Sequence, residues 1–265
     1  MNIFTYELKT GMPSMIYWTA AIILLLFMFM LMYPALSQDI SVFESLLNNF
    51  PLELRQALGI TDLNLSQVLG YYGFLFTYIL LLGSIYAIKS GISVLSEETR
   101  SKTADFLLAK PVSRSTIVSA KILSVLTLLA VQNIIFITFS WIILQVYGPG
   151  QFNGTALALI NLSLIQVQLY FLAAGIFIAS VMKKIKTVLP VALGVVFALY
   201  ILQMVNQTID DPKLAYFTPF AYFDVGKIIQ DISYDMSFLV INLFIITILT
   251  GSTYLLYQRK DMPSI

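Results

Sequence analysis

The sequence predicts an all-α, polytopic membrane protein with six transmembrane helices and both termini in the cytosol. Hydrophobic residues make up 58% of the 265 residues and charged residues only 11%, whereas about a quarter of a soluble domain is charged. Mean hydropathy is +0.86. Six apolar runs approach or exceed the roughly 20 residues that a helix needs to cross a bilayer. We therefore expect residues 1–265 to form one transmembrane domain.

The composition also excludes several kinds of chemistry. The chain has no cysteine and no histidine, which removes disulfides, thiolate nucleophiles, imidazole bases and the commonest zinc ligands. No stretch matches the phosphate-binding pattern GxxxxGK[ST], so ATP hydrolysis by that route is not expected of this chain. A Ser–Lys dyad would need a lysine at membrane depth, and only Lys89 comes close. We expect no catalytic residues and no bound metal or cofactor.

The predicted spans cover about residues 15–34, 68–95, 117–146, 155–182, 187–205 and 238–257. The first span could be confused with a signal peptide, because residues 35–37 (ALS) resemble a cleavage site. Its apolar run is longer than the usual signal-peptide core of about 7–15 residues, which favours a retained span.

A polar-apolar segment, residues 2–14, precedes the first span. Apolar side chains recur there at helical spacing, and Gly11 and Pro13 then interrupt the pattern. The segment predicts a short helix lying in the membrane interface, and a frayed tail with chance spacing is the alternative. The residues that carry the spacing are Phe4, Leu8 and Met12.

Two long acidic loops, residues 37–67 and 206–236, are expected on the outer side. In the first loop Pro51 can start a short helix, after a segment whose apolar residues share one helical face. The second loop is rich in aromatic residues, as expected for a segment at headgroup level. The residues are Val42, Phe43, Leu46, Leu47 and Phe50 in the first loop, and Tyr216, Phe217, Phe220, Tyr222 and Phe223 in the second.

The distribution of basic residues sets the orientation. Of the 15 lysines and arginines, only Arg55, Lys213 and Lys227 fall on the side of the acidic loops. The positive-inside rule therefore places both termini, the segment 96–116 and the turn 183–186 in the cytosol.

The second span carries small residues at four-residue spacing, Gly83, Ala87 and Gly91, which predicts close packing against another helix. Lys89 lies near the cytosolic end of this span and is interpreted as an anchor that reaches the interface. No acidic residue lies within any predicted span, which argues against a proton- or sodium-coupled carrier.

Neutral polar residues do occur within the spans. They allow two interpretations: a weakly polar translocation path, or hydrogen bonds between helices, typically about 0.6 kcal/mol each. Hydrogen bonding is favoured for any single residue. The candidates for a path are Gln132, Asn133, Gln166 and Asn242, and Asn161, Gln168 and Gln203 are of the same kind.

The cytosolic segment from Glu97 to Lys121 has the most elaborate pattern. Thr103 can cap a helix that Pro111 ends, which predicts about two turns over residues 103–109. Asp105 suits the start of that helix, and Phe106 falls on its polar side, as a docking surface requires. Ala104, Leu107 and Leu108 share the opposite face, and Ser113 or Ser115 is expected to cap the third span. The alternative is a cytosolic loop that is basic only because cytosolic loops of membrane proteins are generally basic.

Residues 91–99 (GISVLSEET), 103–114 (TADFLLAKPVSR) and Lys121 resemble the signature of the type-2 ABC exporter permeases. Further similarity lies in residues 49–59 (NFPLELRQALG) and 218–224 (TPFAYFD). One departure is Lys102, where many members have a glycine, and it concerns only the turn entering the short helix.

The resemblance implies a transmembrane subunit of an exporter in the plasma membrane, paired with a second permease copy, identical or paralogous. It implies a separate ATP-binding subunit, which holds ATP and Mg²⁺, and a short coupling helix that docks on that subunit. The N-terminal segment would form an elbow beside it. The coupling residues carried over are Glu97, Glu98, Thr103, Asp105, Phe106, Leu107, Leu108, Lys110, Pro111 and Arg114.

Two other functions remain open at this stage: a stand-alone channel or carrier, and a non-transporting anchor or sensory subunit of an immunity or export complex. The charge-free spans fit an amphipathic or lipid-like cargo better than a strongly ionic one.

Overall fold

A computed structural model gives the structure of this chain. It describes residues 2–38, 49–61, 63–101, 112–182, 185–209 and 211–259, and over these ranges the regular structure is helical. The helices are α1 Ile3–Met30, α2 Tyr33–Gln38, α3 Leu52–Ala57, α4 Val68–Ser101, α5 Arg114–Tyr147, α6 Gly154–Val181, α7 Val188–Ile209, α8 Pro212–Ala215, α9 Val225–Asp231 and α10 Met236–Arg259.

Six of these helices are long and apolar enough to cross a membrane: α1, α4, α5, α6, α7 and α10. The prediction of an all-α fold with six spans is confirmed, and the observed helices extend beyond the predicted spans at several ends. The longest helices are α4 and α5, with 34 residues each. At 1.5 Å per residue each is about 51 Å long, well beyond the roughly 30 Å of bilayer hydrocarbon.

The N-terminal segment differs from its prediction. α1 runs without a break from Ile3 through Pro13 into the first span, with Asn2 as its cap. Gly11 does not end the helix, and it packs against α5: a Cβ there would lie 2.5 Å from Leu128 Cδ1. Pro13 removes the amide that would bond the carbonyl of Lys9, and Lys9 lies at an exposed position where water can replace that bond.

The centre of the bundle is the parallel pair α4 and α6. Their backbones approach closely: a Cβ on Gly91 would lie 2.7 Å from the Leu172 carbonyl oxygen, and one on Gly175 would lie 2.5 Å from that of Ile88. α1 packs along α5. α7 and α10 lie at the periphery. Only 22% and 11% of their most apolar stretches are buried, compared with 72% for α4.

Hydroxyl groups of tyrosine and threonine tie the outer loops to the bundle. Tyr33 Oη donates to the Ser66 carbonyl at 3.0 Å, Thr218 Oγ1 to that of Leu199 at 2.9 Å, and Tyr234 Oη to that of Leu159 at 2.5 Å. The short helix predicted after Phe50 is present as α3, with Pro51 as its N-cap residue. The apolar face predicted over residues 42–47 lies outside the described residues.

The aromatic residues of the second loop divide into two groups. Tyr216 and Phe217 are exposed, as the headgroup prediction requires. Phe220, Tyr222 and Phe223 are buried, so these three belong to the core of the protein. The rings of Phe220 and Tyr222 pack on the spans, with Phe220 against Phe171 and Tyr200, and Tyr222 against Tyr170 and Phe238, and Phe223 packs on Tyr234.

Candidate functional site

Four helix ends meet at one end of the bundle, which we call the charged end: the start of α1, the end of α4, the start of α5 and the end of α10. By the positive-inside rule this is the end expected in the cytosol. Side chains bridge all four helices there. Ser119 on α5 shares a hydrogen bond of 2.8 Å with Tyr254 Oη on α10, and the remaining bridges involve charged residues.

Lys121 is the central residue of the charged end. Its side chain is fully buried, although it is a lysine on a membrane-spanning helix. Nζ bonds Glu7 Oε1 on α1 at 2.6 Å and donates to the Val94 carbonyl oxygen on α4 at 2.7 Å. A buried ammonium is tolerated only when a counter-charge and hydrogen-bond acceptors surround it. One side chain of α5 thus joins three helices.

Lys89 forms a second bridge at this end. It was expected to anchor α4 near the interface, and its side chain is half-buried against α1. Nζ donates to Ser14 Oγ on α1 at 2.7 Å. Lys89 therefore links α4 to α1 at Ser14, farther from the charged end than Glu7, where Lys121 links α5 to α1.

Two of the predicted coupling residues lie on helix ends that the structure describes in full. Glu97 forms an ion pair with Arg100 on the last turns of α4, and its carbonyl accepts from Ser101 Oγ at 2.8 Å. Arg114 begins α5 and donates through Nη1 to the Gln258 carbonyl at 3.1 Å and to that of Tyr257 at 3.4 Å. Ser113 caps α5 by accepting from the Thr116 amide at 3.2 Å, one of the two caps predicted.

The other predicted coupling residues are not placed in this way. Glu98 belongs to α4. Thr103, Asp105, Phe106, Leu107, Leu108, Lys110 and Pro111 lie outside the described residues. The structure does describe the two helices on either side of them: α4 ends at Ser101, and the described chain resumes at Val112, just before α5. Both flanking helices are fixed by charged contacts at that level.

The small residues of the second span lie in the centre of the bundle. A Cβ on Gly83 would lie 2.6 Å from Leu164 Cδ1 on α6, and Gly91 approaches the α6 backbone as described above. Ala87 is fully buried between them.

The polar residues that could line a path are mostly buried between helices. Gln168 on α6 accepts from Asn133 Nδ2 at 2.6 Å and donates to Gln132 Oε1 at 3.0 Å, which joins α6 to α5. Asn242 on α10 lies 3.4 Å from Gln166 Oε1. Among the described residues, Gln132 Nε2 and Asn133 Oδ1 have no hydrogen-bond partner. This placement favours hydrogen bonding between helices, and a role for these residues in a translocation path stays a prediction.

Sequence reasoning missed Glu7 and the structural role of Lys121. A signal was available, because Glu7 is the only acidic residue in residues 1–38 and Lys121 is the last charged residue before a long charge-free stretch. A lone acid and a lone base at the same membrane level are candidates to pair. Over the described ranges, no three acidic residues lie close enough together to hold a metal ion.

A comparison with protein families supports the resemblance seen in the sequence. The family model described as ABC-2 family transporter protein matches residues 1–262. The chain belongs to this family. A comparison with curated proteins gives no match.

Membership in the ABC-2 transporter family and six apolar helices make the chain a multi-pass membrane protein, the permease component of an ABC transporter. The family also implies an ABC-type ATP-binding partner.

Proposed function

We propose that the chain is the permease subunit of an ATP-driven exporter in the cytoplasmic membrane. A separate ATPase subunit would hold ATP and Mg²⁺ and dock on residues 97–116. The observation that carries the proposal is the family match over residues 1–262, because it covers all six spans and the segment between α4 and α5. In this proposal the chain itself performs no catalysis.

The charged end supports a mechanical role for that segment. Residues 102–111 join two long helices, α4 and α5, which are linked through Lys121 and the Val94 carbonyl. Glu7 adds α1 to the same unit. A displacement of the docked segment would therefore move three helices together. The hydrogen bond from Arg114 to the Gln258 carbonyl would pass this displacement on to the end of α10.

The peripheral helices support a second permease copy in the working unit. α7 and α10 leave most of their apolar surface uncovered within one chain. Lipid covers part of such a surface, and a second copy, identical or paralogous, would cover the rest and enclose a path between the two copies. An export direction agrees with the resemblance to the exporter permeases.

The docking role is tested with Phe106→Asp and Leu107→Asp in the complex purified with its ATPase. We expect either substitution to abolish co-purification, or to lower transport-coupled ATP hydrolysis about tenfold or more, as for a hot-spot residue. Phe217→Asp is the matched control, because Phe217 is an exposed aromatic residue at the opposite end of the bundle.

Full coupled hydrolysis in both variants would contradict the docking role. Flux through the purified permease alone, without an ATPase, would instead favour a stand-alone channel or carrier.

A further inference from the structure

A polar cavity of about 120 Å³ lies between α1, α4 and α5 at the charged end. This volume is well above the roughly 10–15 Å³ that one water molecule needs. Hydroxyl groups dominate its polar wall, and its charged lining residues are Glu7, Lys89 and Glu97. The hydroxyl-bearing residues are Thr10, Ser14, Tyr86, Ser90, Ser93 and Ser124.

The charges around this cavity do not balance among the described residues. Glu7 is paired with Lys121, and Glu97 is paired with Arg100. Lys89 donates to a neutral hydroxyl, that of Ser14, and no described carboxylate forms an ion pair with it. Each carboxylate is thus paired with a cation that does not line the cavity, and Lys89 has no ion-pair partner among the described residues. The hydrogen bond of this half-buried ammonium goes to a neutral hydroxyl, so an anion that enters the cavity beside it would gain a charge-assisted hydrogen bond.

The depth of Lys89 in α4 indicates where such an anion would come from. Lys89 is 21 residues beyond Val68, which corresponds to about 32 Å along the helix. The hydrocarbon core is about 30 Å thick, so with Val68, the first residue of α4, at its outer boundary, Lys89 falls where the acyl chains end and the headgroups begin. The cavity is thus near both lipid phosphates and cytosolic solutes.

We propose that this cavity binds a phosphate group, held by Lys89 Nζ and the surrounding hydroxyl groups. Lysine binds phosphate as a point charge, and the hydroxyls of Ser14 and Ser93 can donate to the remaining oxygens. Thr10 and Ser124 already donate to the Tyr6 and Lys121 carbonyls. Lys89 is the one cation among the described lining residues, so the site is suited to one phosphate group. The phosphate belongs either to a lipid headgroup or to a soluble phosphate. The proposal does not rest on the export function, because binding is measured on the permease chain alone.

The test is binding to the full-length chain in detergent, with native mass spectrometry for lipids and thermal unfolding for soluble anions. The probes are dioleoyl phosphatidic acid, the phosphate-free monogalactosyl diacylglycerol, and inorganic phosphate. We expect wild type and Lys89→Arg to bind one phosphate group, and Lys89→Met to bind it about tenfold or more weakly, as for loss of a charge-assisted hydrogen bond. Lys186→Met, which removes an exposed lysine at the same end, should bind as wild type does.

Ser93→Leu tests the cavity without changing any charge, because a leucine there would occupy the space and leave Lys89 in place. It should weaken binding as Lys89→Met does. Phosphatidic acid binding that needs Lys89, without an effect of inorganic phosphate, assigns the site to a lipid headgroup. Stabilisation by inorganic phosphate that needs Lys89 assigns it to a soluble phosphate. Equal binding of the galactolipid, binding unchanged in Lys89→Met and Ser93→Leu, or no binding of either phosphate probe would overturn the proposal.

Discussion

The two ends of the bundle are held together by different interactions. At the charged end, Lys121 Nζ bonds a carboxylate oxygen of Glu7 at 2.6 Å and the Val94 carbonyl oxygen at 2.7 Å. At the outer end the bridges are neutral: Tyr234 Oη donates to the Leu159 carbonyl at 2.5 Å, and Tyr222 Oη to that of Tyr216 at 2.7 Å.

This difference determines how each end responds to change. A neutral hydrogen bond contributes about 0.5–1.5 kcal/mol, and its loss affects one loop. A buried ion pair contributes little when both partners are present, but removal of one partner leaves an uncompensated charge. Whatever moves Lys121 therefore disturbs α1, α4 and α5 together, and the outer loops can change without that consequence.

The largest expected effect is that of Lys121→Met. It leaves Glu7, whose side chain is only 11% exposed, without its counter-charge. We expect the free energy of unfolding to fall by about 3–5 kcal/mol, the range for breaking a buried pair. The measurement is unfolding of the purified chain in mild detergent, by titration with a denaturing detergent.

The double substitution Glu7→Gln with Lys121→Met should recover most of that loss, because neither charge of the pair is left without the other. Lys9→Met, at an exposed position of α1, is the matched control and should leave stability unchanged. A single variant as stable as this control would show that the pair does not hold the three helices together.

The sequence predicted the fold because hydropathy alone reports membrane spans. It also predicted that small residues on the second span allow a close approach of another helix, and Gly91 meets the backbone of α6 in this way. The cap of α5 at Ser113 follows from local hydrogen bonding and was predicted as one of two choices. These features depend on neighbouring residues or on a single helix face.

The interactions at the charged end could not be predicted in that way. Glu7 and Lys121 are separated by 114 positions, and their pairing depends on how α1 packs against α5. The same packing places Gly11 of α1 against Leu128 of α5, a contact that composition does not reveal. The hydrogen bond from Lys89 to Ser14 could not be predicted for the same reason, because the two residues lie on different helices.

At the outer end, Tyr234→Phe is expected to have a smaller effect. It removes the hydrogen bond to the Leu159 carbonyl and keeps the ring that packs on Phe223. The free energy of unfolding should fall by about 1 kcal/mol. Tyr6→Phe, at an exposed position of α1, is the control. A loss as large as that of Lys121→Met would contradict the difference between the two ends.

The outer end should also respond to alkaline pH. Burial raises the pKa of Tyr222 and of Tyr234 above the ordinary tyrosine value of 10.0. A group whose pKa is raised on folding contributes fully below its unfolded pKa, and that contribution is lost as the pH rises through the folded value. Stability from these tyrosines should therefore be constant from neutral pH to about pH 10 and fall only above it. Unfolding measured across this range should show a smaller alkaline loss in a Tyr222→Phe, Tyr234→Phe variant, and an equal loss would show that other groups cause it.

The smallest expected effect is that of Arg100→Ala, at the charged end itself. Its ion pair with Glu97 is three residues apart on one helix, with side chains 31% and 45% exposed. Pairs of this kind contribute about 0.3–0.5 kcal/mol, and salt screens them. Unfolding of Arg100→Ala at low and high salt should differ from that of wild type by no more than this, and the difference should vanish at high salt. A loss comparable to that of Lys121→Met would mean that exposed and buried ion pairs at this end contribute equally to the free energy of unfolding. A small, salt-dependent loss would show that an exposed ion pair contributes little to the free energy of unfolding, because water already screens its charges. The stability of the charged end would then come from the buried pair of Lys121.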